Sequence, residues 1–244
     1  IALSPPITAH PMSRRYAVFH APPADHPLWQ AGCQWLGRDP AGQLSATNAA
    51  PSSPELAEPW RYGFHATLKP PLRLRDGLQE RDFMAAVQGL AERTAAFMLP
   101  PLVVATLDDF VALRPHQPLA PEHPLRRLAD ACVRELDDWR APPTAHELSR
   151  QLARPLDTEQ AELLARWGYP HVLQRWRFHM TLSNSLPPAR RELLLAAART
   201  HFGTALDLPL PVRELAVYVE PAPGAPFLLA QRFALQAPDA RVSW

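Results

Sequence analysis

The chain has 244 residues, 47% of them apolar and 20% charged, with a formal net charge of +1. That balance belongs to an ordinary globular protein with a core to bury. It contains no run of eighteen apolar residues, which excludes a helical membrane span, and a charge this small argues against a protein built to grip long nucleic acid.

Ile1 to Pro11 lacks the basic-then-apolar order of a signal peptide, so it reads as a loose leader with Met12 as a natural start. Arg15 to Ala21 is aromatic and β-branched, ends in Pro22-Pro23, and predicts a strand. Asp25-His26-Pro27-Leu28 opens a helix with proline in its first turn, and Gly37 closes it. Asp39 to Pro59 reads as a loop. Arg61 to Lys69 predicts a strand closed by Pro70-Pro71. Leu78 to Thr94 predicts a helix, with Phe83, Val87 and Leu90 on one face. Leu102 to Leu107 and Phe110 to Leu113 predict strands around an Asp108-Asp109 turn.

The order then begins again. His123-Pro124-Leu125 repeats His26-Pro27-Leu28 and opens a helix to about Trp139. Arg140 to Val172 is an extra segment, helical near Thr158 to Trp167, which reads as a lid over a cleft. Arg175 to Ser183 predicts a second strand, Ala189 to Phe202 a helix, and Leu206 to Leu210, Arg213 to Glu220 and Phe227 to Leu235 three more strands. The fold class is therefore α+β, with hairpins that call for antiparallel pairing. A duplicated, bilobed domain is expected, the first lobe over 12–118 and the second over 119–244.

The repeat is sharpest in two strings. Arg61-Tyr62-Gly63-Phe64-His65-Ala66-Thr67-Leu68 returns as Arg175-Trp176-Arg177-Phe178-His179-Met180-Thr181-Leu182. Strand alternation puts Tyr62, Phe64, Ala66 and Leu68 on one face, and Trp176, Phe178, Met180 and Leu182 on the corresponding one. The opposite faces carry Arg61, Gly63, His65, Thr67 and Lys69, and Arg175, Arg177, His179, Thr181 and Ser183. A cation, an imidazole and a hydroxyl in a row suit a phosphate ester. The imidazole moves protons near neutral pH, the hydroxyl donates to a phosphoryl oxygen, and the cation offsets charge. Two imidazoles on opposite sides of one phosphorus allow in-line displacement with one as base and the other as acid. His26 and His123, each before proline at a helix start, are expected to cap. No Asp, Glu or Cys repeats beside His65 and His179, so no metal site or cofactor is expected there. Cys33 and Cys132 read as buried, reduced thiols of a cytoplasmic protein.

The two His-x-Thr-Leu strings resemble the signature of the 2H phosphoesterases, a superfamily that includes bacterial 2′–5′ RNA ligase-like proteins and cyclic nucleotide phosphodiesterases. Arg15-Tyr16-Ala17-Val18-Phe19, Trp35-Leu36-Gly37-Arg38-Asp39 and Arg166-Trp167-Gly168-Tyr169-Pro170 look like the branch encoded beside bacterial phosphonate-degradation genes. The resemblance implies two antiparallel sheets related by a pseudo-twofold, with the active cleft between them. It implies His65 and His179 as acid and base, and Thr67 and Thr181 as phosphoryl-binding groups. Arg177 and Lys69 are further substrate-binding candidates, as are Tyr16 and Tyr218, which are placed to stack on a base or sugar. The implied activity is metal-independent hydrolysis of a small cyclic phosphodiester, a nucleoside 2′,3′-cyclic phosphate or a ribose cyclic phosphate. Non-catalytic binding of a phosphorylated metabolite and RNA end processing are the alternatives; RNA is the less favoured partner.

Overall fold

A computed structural model describes residues 14–42, 50–153 and 155–237. The leader at 1–11 and the start at Met12 lie outside the described residues, as does part of the loop expected after Asp39. The first half runs β1 (Arg15–His20), α1 (Pro27–Leu36), α2 (Ala57–Tyr62), β2 (Ala66–Leu72), α3 (Glu80–Glu92), β3 (Phe97–Met98) and β4 (Leu102–Leu107). The second runs β5 (Phe110–Pro115), α4 (Pro124–Glu135), α5 (Ala145–Gln151), α6 (Thr158–Trp167), β6 (Met180–Thr181), α7 (Pro188–Leu206), β7 (Pro211–Val212), β8 (Glu214–Glu220) and β9 (Leu228–Ala234). Among the described residues no helix is long and apolar enough to cross a membrane.

The expected class holds: α+β, with antiparallel sheets around a cleft. One sheet has the order β2-β1-β8-β9 and another β4-β5-β6, while β3 and β7 form a short pair. The lobes do not divide at residue 118. Each half contributes a unit of strand, helix, motif strand, helix, strand, and the boundary falls in the Asp108-Asp109 turn. Each large sheet takes its first two strands from one unit and the next from the other: β1 and β2 with β8, β5 and β6 with β4. The helices are exchanged too. α1 packs on α7, which covers β4 and β5, while α4 packs on β2 and α3 on β8 and β9. β3 pairs antiparallel with its counterpart β7, as an axis of pseudo-twofold symmetry between the units requires. The reason is burial: an apolar strand face is covered equally well by its own unit or by the other, and exchange joins both units into one core.

The helix starts follow the sequence. His26 Nδ1 accepts from Leu28 N at 3.1 Å and His123 Nδ1 from Leu125 N at 3.2 Å, so both histidines cap their helices. Gly37 ends α1 at φ 68°, a left-handed conformation that favours glycine. Phe83, Val87 and Leu90 are buried beneath α3. Three local expectations fail. Arg61 and Tyr62 belong to α2, which continues a 3-10 turn over Pro54–Leu56 that Ser53 caps. The second motif is extended at Trp176 but pairs with β5 only at Met180 and Thr181, because a 3-10 turn at Leu173–Arg175 precedes it. Leu206 ends α7 rather than starting a strand, and the strand that follows is Pro211–Val212.

Candidate active site

Gly63 sets up the first motif. It closes α2 at φ 79°, and a Cβ there would lie 3.0 Å from Pro40 and 3.3 Å from the Arg38 guanidinium. The chain therefore turns tightly at Gly63 before entering β2. His65 Nδ1 lies 2.8 Å from the Gly63 carbonyl, and His179 Nδ1 lies 2.8 Å from the Arg177 carbonyl. A carbonyl only accepts, so each Nδ1 carries the proton and each neutral ring keeps its lone pair on Nε2. Thr67 Oγ1 stands 3.2 Å from His65 Nε2 and donates to it. Both imidazoles thus have the same tautomer, fixed by the same bond to the residue two positions earlier.

His65, Thr67, His179 and Thr181 line one cleft of about 490 Å³. The sequence separates the two pairs by more than a hundred positions, and the fold brings them together. Burial lowers the pKa of His65 most, to about 4; the Gly63 carbonyl opposes this, while the charges of His179 and Arg38 add to it. His179 is lowered chiefly by burial as well, with Asp108 acting in the opposite direction. Phe19 stacks on His65 with centroids 3.7 Å apart, and Phe110 packs near His179 at 5.6 Å.

Backbone ties hold the two motifs at a fixed separation. The Trp176 indole donates to the Thr67 carbonyl at 2.8 Å, and the Trp35 indole donates to the Leu182 carbonyl at 2.9 Å. Asn184 reaches across to α2: its Oδ1 accepts from Glu58 N at 2.8 Å, and its Nδ2 donates to the Pro54 carbonyl at 2.9 Å. Ser183 Oγ accepts from Val111 N at 2.9 Å and pins β6 to β5. The sequence offered one signal for Trp176, Ser183 and Asn184, which is that they sit inside or next to the repeated strings; Trp35 lies far from both.

The other candidates from the sequence lie elsewhere. Lys69 was expected beside Thr67, but it is buried and donates to the Val133 carbonyl at 2.8 Å and to Asp137 at 3.1 Å. The cause is a β-bulge. Phe19 pairs with Thr67 and Val18 with Lys69, so Leu68 is an extra residue and the alternation reverses after it. Arg177 is half exposed, pairs with Asp108 at 2.6 Å and is absent from the cleft lining. The Tyr16 hydroxyl donates to Glu80 at 2.9 Å on the far side of the sheet, and its ring packs on Phe83. Tyr218 is fully buried behind Phe19, 5.0 Å between centroids, and its hydroxyl finds no partner among the described residues. Both tyrosines are core residues. Arg61 pairs with the buried Glu220, which also holds Arg15, and Arg175 pairs with Asp157 and Glu159.

Part of the segment expected as a lid borders the cleft. Arg140, Glu147, Arg150, Leu164 and Tyr169 line the cleft opposite the motif strands. Two capping boxes, Thr144 with Glu147 and Asp157 with Gln160, start α5 and α6. Arg73 anchors α5 through Glu147 and the Pro142 carbonyl, and Asp137 binds both Arg140 and Lys69. Among the described residues no group of three or more His, Cys, Asp or Glu is arranged to hold a metal ion.

The model of the family described as "Protein of unknown function (DUF1045)" matches residues 67–228, from the first motif threonine to β9. The chain belongs to this family. Two curated relatives named "Ribose 1,5-bisphosphate phosphokinase PhnN" are similar to it. The one from Janthinobacterium sp. (strain Marseille) is 37% identical over 240 residues, 94% of this chain and 52% of that protein. The one from Laribacter hongkongensis (strain HLHK9) is 40% identical over 222 residues, 89% and 51% respectively. This DUF1045 chain thus spans about half the length of the curated relatives it matches. Among solved structures it is similar to E. coli LigT complexed with phosphate, at TM-score 0.44 and 14% identity, covering 93% of this chain and 99% of that one. A structure titled as a phosphoesterase gives TM-score 0.40 and 14% identity, covering 91% and 99%.

Proposed function

We propose that the chain is a 2H-type phosphoesterase that hydrolyses a small cyclic phosphodiester by acid/base catalysis from His65 and His179, in the setting of phosphonate metabolism. The observation that carries the reading is the matched pair of imidazoles. Each donates Nδ1–H to the carbonyl two residues earlier, which leaves the Nε2 lone pair as the proton acceptor, and each has a threonine two positions on in the same cleft; the Thr67 hydroxyl, which donates to His65 Nε2, turns to a phosphoryl oxygen when substrate binds.

The chemistry then needs only these residues. One Nε2 takes a proton from water as its oxygen bonds to phosphorus. The other imidazole, protonated, gives its proton to the ribose oxygen as the opposite P–O bond breaks. A cyclic diester and water become a monoester with a free hydroxyl. Thr67 and Thr181 donate to the non-bridging oxygens, whose charge grows in the transition state. The depressed pKa values keep a neutral base available near pH 7. A cleft of about 490 Å³ suits a nucleotide or sugar phosphate rather than a long chain. The name of the curated relatives puts ribose phosphates among the compounds to test.

The test is a screen of nucleoside 2′,3′-cyclic phosphates, ribose cyclic phosphates and phosphonate esters, with the wild type and with His65→Ala and His179→Ala. Turnover that falls by about 10² or more in each variant and is indifferent to chelator supports the reading. Tight binding without turnover favours a metabolite-binding role, and variants that keep full activity remove the mechanism.

A further inference from the structure

Arg38 is one of the largest fully buried side chains in the protein, at 2% exposure. It has no carboxylate partner within ion-pair distance among the described residues. Its guanidinium is spent on three backbone carbonyls instead: Nε donates to Trp60 at 3.0 Å, Nη1 to Phe227 at 2.9 Å and Nη2 to Arg61 at 3.2 Å. Its planar face lies 5.2 Å from the Trp60 ring centroid. Burying an unneutralised cation is costly, and the cost here lowers the pKa to about 10, so Arg38 still carries its charge at neutral pH.

The three carbonyls it holds all bear on His65. Trp60 and Arg61 form the last turn before Gly63, whose own carbonyl fixes the His65 tautomer. Phe227 is the ring on which Tyr62 stacks, with centroids 4.9 Å apart, and its N–H donates to the Arg61 carbonyl at 2.8 Å. Pulling Arg38 out would take a donor from each of these carbonyls, two of them in the turn that aims His65, and would leave Trp60 and Arg61 with only their backbone donors, Gly63 N and Phe227 N. The turn before the second motif is held more loosely: Arg126, which is not fully buried, donates one Nη to the Leu173 and Gln174 carbonyls at 3.4 and 3.1 Å, and the carbonyl that orients His179 comes from Arg177, whose guanidinium turns outward to Asp108.

The charges around the two imidazoles differ in the same sense. His65 faces Tyr62 from α2, Tyr218 from β8, Arg38 from the end of α1 and His179 from β6, and Arg15, Glu58 and Asp109 share the cleft wall. His179 has Arg177 and His171 near it but also the Asp108 carboxylate, which favours its charged form. Burial lowers both imidazoles, but the Arg38 charge behind His65 has no carboxylate partner among the described residues, whereas the Arg177 charge beside His179 is offset by its ion pair with Asp108, and this makes the pair unequal in proton affinity.

We propose that Arg38 is a positioning residue for His65: it locks the turn that aims the ring and holds a positive charge behind it, so that His65 is the proton acceptor of the pair and His179 the proton donor. The division of roles rests on the two-histidine reading above, whereas the clamp on His65 does not.

The test has two arms. In the first, the histidine ring protons of the full chain are titrated by NMR in the wild type, Arg38→Gln and Arg38→Lys, with His65→Gln and His179→Gln used for assignment. The expected result is a wild-type His65 midpoint below that of His179. In Arg38→Gln it rises toward the His179 midpoint, and in Arg38→Lys, which keeps the charge, it stays low. A His65 midpoint at or above that of His179 in the wild type overturns the proposal even where Arg38→Gln does not fold. So does a folded Arg38→Gln with an unmoved His65 midpoint. In the second arm, turnover is compared on a nucleoside 2′,3′-cyclic phosphate and on bis(p-nitrophenyl) phosphate, whose leaving group departs without a proton. His179→Ala is expected to lose about 10² or more on the cyclic ester and less than about tenfold on the aryl ester. His65→Ala is expected to lose about 10² or more on both. The reverse pattern overturns the assignment. Failure of every diester to turn over removes the two-histidine reading and the roles with it, while the titration still decides the part played by Arg38.

Discussion

His20→Leu is predicted to stabilise the protein, and to do so more in acid. His20 is the last residue of β1, 1% exposed, and neither ring nitrogen finds a partner among the described residues. It pairs with Ala66, as Leu113 pairs with Met180 in the other unit, so leucine is what the pseudo-equivalent position already holds. A buried, unsatisfied imidazole costs about 1–3 kcal/mol, and leucine of similar size removes that penalty. Burial also pushes the His20 pKa down to about 3, with the Arg232 charge acting in the same sense. The sign follows from proton uptake. Below pH 6.5 the unfolded chain binds a proton that the folded protein refuses, so stability falls as pH drops from about 6.5 toward about 3. At about 1.36 kcal/mol per pH unit, His20 alone removes about 2 kcal/mol by pH 5. Urea unfolding at pH 7.5 and pH 5 measures both effects. The expected gain for His20→Leu is about 1–2 kcal/mol at the higher pH and about 3–4 kcal/mol at the lower. A variant less stable than wild type at pH 7.5, with the same pH dependence, would refute the reasoning.

Lys69→Met is expected to cost about 2–3 kcal/mol in unfolding assays, because the Val133 carbonyl and Asp137 lose a buried donor; its activity per folded molecule is expected within about threefold of wild type, and a larger loss would return Lys69 to the substrate site. Gly63→Ala forces a side chain into a conformation at φ 79° with its Cβ against Pro40. Strain of about 1–3 kcal/mol is expected in thermal unfolding, and because that strain falls two residues from His65, kcat is expected to fall about tenfold with KM little changed. Arg177→Ala breaks an exposed pair with Asp108, so stability is expected to change by less than about 1 kcal/mol and kcat/KM by less than about threefold. A loss of more than tenfold would show Arg177 reaching the substrate.

The paired strings carried the essential placement: Phe64, Phe178, Met180 and Leu182 are buried, and both histidines with both threonines face one cleft. The helix caps were legible because proline after histidine has few other uses. Lys69 was misplaced because a bulge leaves no mark in the letters, and one extra residue at Leu68 turns Lys69 to the opposite face before a second register shift restores the alternation by Leu72. The strand exchange was invisible for a different reason. The order of elements along the chain is the same whether β4 and β8 join their own unit's sheet or the other's. Arg61 and Tyr62 read as strand because a six-residue helix between Ser53 and Gly63 is too short to show a period. Arg38 and Asn184 act through backbone carbonyls and amides, and such partners cannot be read from side-chain chemistry alone.

The central claim is that His65, Thr67, His179 and Thr181 share one phosphate. A crystal structure of the protein with inorganic phosphate tests it most directly. The account predicts a single phosphate with oxygens about 3 Å from both Nε2 atoms and both threonine hydroxyls. Phosphate held by only one motif, or elsewhere in the cleft with the two histidines apart, would contradict it.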